Sequence, residues 1–136
     1  YIDLSYSHSI HLHFLHDRVQ QAAYNLIDET KKIHFHYQIG KILLENTPKE
    51  SIEEKIFEIT NHLNLGISLT TAEEKEVLLE LNWHAGEKAY ASSSFKSAVA
   101  YFKQSYDLLT EKVWDQSYDL SFKLIKKYGE VLYLLG

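Results

Sequence analysis

Four of the eight histidines, His8, His11, His13 and His16, crowd into one short stretch near the start of the chain. Ile10, Leu12 and Phe14 alternate with His11 and His13, a period of two that predicts one short strand. On such a strand the imidazoles of His11 and His13 share a face, a spacing that can hold a metal ion between two ring nitrogens. His8, His16 or Asp17 could complete the coordination, and a small metal-dependent enzyme is then the chemistry to weigh. No HExxH or comparable fixed spacing accompanies these residues. His34 and His36 differ, because positions i and i+2 of a helix point about 200° apart and cannot chelate together.

A second chemistry belongs to His16-Asp17-Arg18, which resembles the phosphoacceptor box of sensor histidine kinases. That resemblance implies phosphotransfer at His16, although the usual proline is replaced by the run Val19-Gln20-Gln21-Ala22. Other reactive patterns are missing. There is no GxxxxGK[ST] loop and no GxSxG elbow, and cysteine is absent, which removes disulfides, thiolate metal sites and thiol nucleophiles. The carboxylates Glu53-Glu54, Glu73-Glu74 and Glu76 fall near expected helix starts, where the backbone dipole favours them. No catalytic residue and no cofactor is therefore assigned.

The elements around these residues read as helices. Five glycines and one proline in 136 residues are sparse punctuation. From Asp17 onward Val19, Ala22, Ala23, Leu26 and Ile27 take helical spacing. A second helix is expected over 29–45, with Gly40 placed to let a neighbour come close. Thr47-Pro48 with Glu50 reads as a capped start for a third, carried by Ile52, Ile56, Ile59 and Leu63 and ended by Gly66. Thr71 to Glu74 is a further capping box, opening a helix through Leu78, Leu81, Ala85 and Ala89. Ser92 to Ser94 form a turn before a helix carrying Phe95, Ala98 and Phe102. The last helix, over 116–135, has one row in Phe122, Ile125, Gly129 and Leu132 and another in Leu124, Tyr128, Val131 and Leu135.

Composition bounds the function. A net charge of −5, 45% hydrophobic and 24% charged residues describe a globular domain with no basic footprint for nucleic acid or anionic lipid. No stretch is apolar enough to suggest a membrane span. Beginning at Tyr1 and ending at Leu135-Gly136, without methionine, the chain is expected to be a piece of a longer protein.

Gly86, Ala98 and Phe102 stand at the spacing of a tetratricopeptide unit, in which a small residue of one helix packs on an alanine and an aromatic of the next. Phe95 fills the aromatic place three residues before Ala98. The tryptophan position of the pattern is Asn82, its tyrosine position Ala89 and its proline position Thr110, so the match is partial. Two generic helical hairpins are the plainer alternative.

The run Phe14-Leu15-His16-Asp17-Arg18-Val19-Gln20-Gln21-Ala22-Ala23-Tyr24-Asn25-Leu26-Ile27 resembles a segment that follows the ATPase module of large bacterial signalling proteins. Those proteins join a serine/threonine-kinase-like domain, an AAA or STAND-type ATPase, a helical-repeat region and a sensor histidine kinase. The likeness continues in His36 to Leu44, in Ile56 to Gly66 and in Leu81 to Ser92. It implies that residues 1–16 end a winged-helix-like element and that 17–136 are a helical-repeat domain, cut short at its C-terminus. It also implies interdomain contacts at His16, Asp17 and Arg18 with the nucleotide-binding module, and places every catalytic residue outside this stretch. The expected fold is all-α, a right-handed array of tetratricopeptide-like antiparallel hairpins with one short N-terminal strand. The expected role is a non-catalytic interaction segment of a cytoplasmic kinase or ATPase. Its partners would be other domains of the same polypeptide and a protein ligand, not nucleic acid or membrane.

Overall fold

A computed structural model describes the backbone from Leu4 to Gly136 and the side chains from Ser9 onward. Seven α-helices occur among the described residues: α1 (Leu4–Leu26), α2 (Glu29–Asn46), α3 (Ile56–Leu65), α4 (Ala72–Ala91), α5 (Phe95–Asp107), α6 (Glu111–Gln116) and α7 (Tyr118–Leu135). Single 3-10 turns at Lys49–Ser51 and Ile67–Leu69 flank α3. None of these helices is long and apolar enough to cross a membrane.

The strand expected at Ile10 to Phe14 does not exist; these residues lie inside α1. Alternation of apolar and polar side chains requires a partner strand to satisfy the backbone, and no strand occurs among the described residues. A helix closes its backbone hydrogen bonds locally, so it forms without one. Asp17, expected to open a helix, is therefore in the middle of one. Residues 4–9 also belong to α1, and residues 1–3 lie outside the described residues.

The chain divides into two compact units, one ending at Lys32 and the other running from Ile33 to Gly136. Within the first, Leu12, Phe14, Val19 and Leu26 are exposed. Lys32 places its ammonium 4.8 Å from the centre of the Tyr24 ring and bonds Glu29.

The second unit holds the core. Ile56, Ile59, Leu63, Leu78, Leu79, Leu81 and Ala85 form one cluster. Trp83, Ala89, Ala98, Phe102, Leu124 and Val131 form another. Residues of α4 and α5 meet in reverse order: Leu79 with Ser105, Gly86 with Phe102, Tyr90 with Phe95. The two helices are thus antiparallel, joined by a turn in which Ser93 takes φ of 61°. Gly86 is there for space, since a Cβ on it would stand 2.4 Å from the Phe102 ring. Gly40 does the same for α3, because a Cβ would lie 2.7 Å from the Leu63 side chain.

Local signals were honoured unevenly. The Thr71 capping box forms, with the Glu74 N–H donating to the Thr71 hydroxyl and the Thr71 N–H to the Glu74 carboxylate. Thr47 does not cap. Its hydroxyl donates back to the Leu43 carbonyl at 2.5 Å, Pro48 leads into a 3-10 turn, and α3 begins only at Ile56. Gly66 follows α3 at φ −98°, an ordinary right-handed value. Its bareness serves packing instead, as a Cβ would sit 2.7 Å from the Tyr37 Cα.

Candidate functional site

The helical conformation of α1 separates the residues that a strand would have gathered. His11 and His13 point to different sides, and among the described residues no three His, Asp or Glu side chains converge on a common point. The His8 side chain lies outside the described residues. His13 Nε2 approaches Asp17 at 3.5 Å, an exposed i,i+4 pair of small energetic weight. Arg18 sets its guanidinium 5.5 Å from the Phe14 ring centre. His16 and Asp17, one residue apart on α1, leave the helix in directions about 100° apart.

Polar groups do converge where α2, α3 and α4 meet. Asn82 and Asn64 exchange amide hydrogen bonds at 2.8 and 2.9 Å, and Asn82 also donates to the Leu78 carbonyl. Asn82 is fully buried. It occupies the place where the repeat pattern has tryptophan, so pattern matching registered it only as a mismatch. Tyr37 donates to both Glu74 oxygens at 2.9 and 3.0 Å, and Lys41 lies 3.4 Å from the same carboxylate. Burial pushes the Glu74 carboxyl upward, but bonds from the Thr71 N–H and the Tyr37 hydroxyl, with the Lys41 charge, outweigh it. Its pKa ends below the ordinary value. The capping carboxylate of α4 thereby also ties down α2, a double use that only the tertiary contacts reveal.

His36 and His62 bring their Nδ1 atoms to 2.9 Å, the rings 5.1 Å apart. One nitrogen must donate and the other accept, so the pair tolerates at most one extra proton without repulsion. Burial first, then the neighbouring His36 ring, lowers the His62 pKa from 6.5, while Glu58 opposes the shift. A lowered pKa means that the unfolded chain binds more protons below 6.5. The associated stability is complete above that pH and is lost as pH falls through the folded value. Thermal unfolding followed by circular dichroism should therefore show a lower Tm at pH about 5.5 than at about 7.5, and His62→Gln should flatten that slope. An unchanged slope in the variant would remove His62 from the account.

A concavity of about 720 Å³ lies between the Lys49 turn, the start of α3 and α4. Ile52, Ile56 and Leu81 form its floor, with Lys49, Glu53, His84, Glu87 and Lys88 at the rim. Lys88 donates to the Glu53 carbonyl at 2.7 Å and covers the Phe57 ring, while His84 pairs with Glu87 at 3.4 Å. An apolar floor with a rim of both charges suits a side chain of a docking polypeptide.

The class defined by these features is an all-helical packing module that presents grooves. One relative gives that class a setting. Nearly all of the chain, 98%, is similar to a stretch of a hybrid signal transduction histidine kinase G of Dictyostelium discoideum, 31% identical over 161 aligned positions. The chain spans about 5% of the length of that kinase. No protein-family model matches the chain, and no solved structure matches it.

Proposed function

We propose that this chain is a non-catalytic interaction and regulatory segment of a larger signal-transduction protein, built from tetratricopeptide-like hairpins in a right-handed array. The observation that carries this reading is the similarity of nearly the whole chain to one small stretch of a hybrid histidine kinase. A module of that size, set within so long a polypeptide, acts through its neighbours. The interlock of Gly86, Ala98 and Phe102 between α4 and α5 supports the repeat-like hairpin. The ATPase of AAA or STAND type and the serine/threonine kinase suggested by the motif resemblance belong to this proposal, as does a cytoplasmic setting. Partners are other domains of the same polypeptide, with His16, Asp17 and Arg18 on α1 as contact residues, and a protein ligand.

Stacked hairpins transmit strain because each contacts its neighbours through packed side chains. A ligand that prefers one stacking would bias the attached enzyme by the difference in its two affinities. The test uses the whole parent polypeptide, with residues 33–136 replaced by a flexible linker of equal reach. The expected result is an altered rate of phosphoryl transfer with ATP affinity retained. An unchanged rate would overturn the regulatory reading. Stoichiometric zinc on the purified chain, or acid-labile phosphate on His16, would overturn the non-catalytic one.

A further inference from the structure

A second groove lies at the other end of the helical unit, where the end of α5, the short α6 and the face of α7 meet. Its volume is about 610 Å³. Tyr106, Leu109, Trp114 and Ile125 supply its apolar surface. Asp107, Glu111 and Asp115 edge it, and no lysine or arginine lines it. The nearest cation of α6 is directed elsewhere, with Lys112 bonded at 3.0 Å to Glu76 on α4. Lys103 holds Asp107 at 2.6 Å. Among the described residues Glu111 and Asp115 have no such partner, and both are exposed.

From this groove an aromatic ladder continues along the surface. Trp114 meets Tyr118 edge-on at 5.5 Å, and Tyr118 stacks on Phe122 at 6.2 Å, across the break between α6 and α7 at Ser117. Glu111 and Asp115 stand four residues apart on α6, and Asp119 lies in the first turn of α7. Tyr118 and Phe122 are more than half exposed, and Ile125 and Leu132 extend the apolar row along α7. Four such side chains in one row give up water-ordering free energy when covered, at about 25 cal/mol for each Å² of apolar surface removed from water.

We propose that this surface docks a cationic amphipathic segment of a protein partner, one that carries lysine or arginine beside an apolar anchor. The chemistry is specific in two ways. Carboxylates standing next to aromatic faces attract an ammonium or guanidinium twice, through charge and through the ring quadrupole. An acidic segment would meet like charge and is rejected by the same groups. The assignment rests on the interaction reading above and adds the partner's chemistry, so it can fail while the parent kinase's dependence on residues 33–136 stands.

The experiment uses this chain and a synthetic helical peptide with leucine on one face and lysine on the other. Trp114 reports binding, because the only other tryptophan, Trp83, is buried. The expected result is a change in tryptophan emission that saturates with peptide and weakens with salt. Glu111→Lys with Asp115→Lys should weaken binding about tenfold or more, as should Trp114→Ala when binding is read by peptide anisotropy. Charge reversal at Glu50 and Glu54, in the segment that meets Lys88 at the far end of α4, should leave affinity within about twofold. Equal binding of a leucine–glutamate peptide, or equal loss from the distant reversals, would overturn the proposal. So would sedimentation showing that a second copy of the chain already covers this face in a Trp114-dependent dimer.

Discussion

Gly86→Val is expected to destabilise the helical unit by about 3 kcal/mol, a large share of the 5–15 kcal/mol that typically holds a domain together. The physical reason is space. A Cβ at position 86 meets the Phe102 ring at 2.4 Å and 2.6 Å, and Phe102 is itself fully buried among Trp83, Ala98 and Leu124. The ring cannot retreat without pushing the second core cluster outward, and close-packed interiors yield little. Alanine at position 86 would gain helix propensity yet still collide, so it should cost less than valine and still be destabilising. A compensating change separates crowding from loss of backbone freedom. Phe102→Leu removes the colliding ring edge, and its cost should be smaller in the Gly86→Ala background than in the original chain. Urea unfolding followed by circular dichroism measures the original chain and all four variants. A valine variant with an unchanged midpoint would mean that α4 and α5 do not approach as described.

The Asn64–Asn82 pair should give the second large effect, through an asymmetry. Asn64→Ala leaves the buried Asn82 amide without its donor and its acceptor partner, and is expected to cost about 2–4 kcal/mol by the usual penalty for unsatisfied buried groups. Replacing both residues by leucine leaves no buried amide without a partner, because the Leu78 carbonyl loses only the Asn82 side-chain bond and keeps its helical bond from the N–H of residue 82. The double variant is therefore expected to lie closer to the original protein than Asn64→Ala does. Denaturant midpoints decide it. If the double variant proves worse than the single one, the pair contributes net stability beyond satisfying itself, and the desolvation account fails. Either way the pair fixes the register of α3 on α4, because an amide slid by one residue finds only apolar neighbours.

Several features were legible in the residues before any packing was known. The helical periodicity from Val19 onward, the Thr71 capping box and the meeting of Gly86 with Phe102 depend on spacings of a few residues or on one hairpin. The α7 rows show where that reading stops. Two apolar stripes were visible, one through Phe122, Ile125 and Leu132 and one through Leu124, Tyr128 and Val131. The structure buries Leu124 and Val131, half-buries Tyr128, and leaves Leu135 at the end of that stripe exposed together with Phe122, Ile125 and Leu132. Amphipathicity says that a stripe wants cover; it does not say which neighbour arrives. The histidines misled for a related reason. Alternation at Ile10 to Phe14 fits a strand, but a strand needs a partner edge, and α1 forms instead.

Sequence alone therefore determined the helical class, the placement of α2, α4 and α5, and the small residues that permit close approach. These follow from interactions between residues near one another along the chain, whose energies do not depend on what else the chain does. Tertiary structure alone decided that His36 would face His62, that the Glu74 carboxylate capping α4 would also hold Tyr37, and that an acidic, aromatic groove would open beside Trp114. Those pairings join residues from separate elements, and the free energy that selects them arises only once the helices are packed and water has left between them.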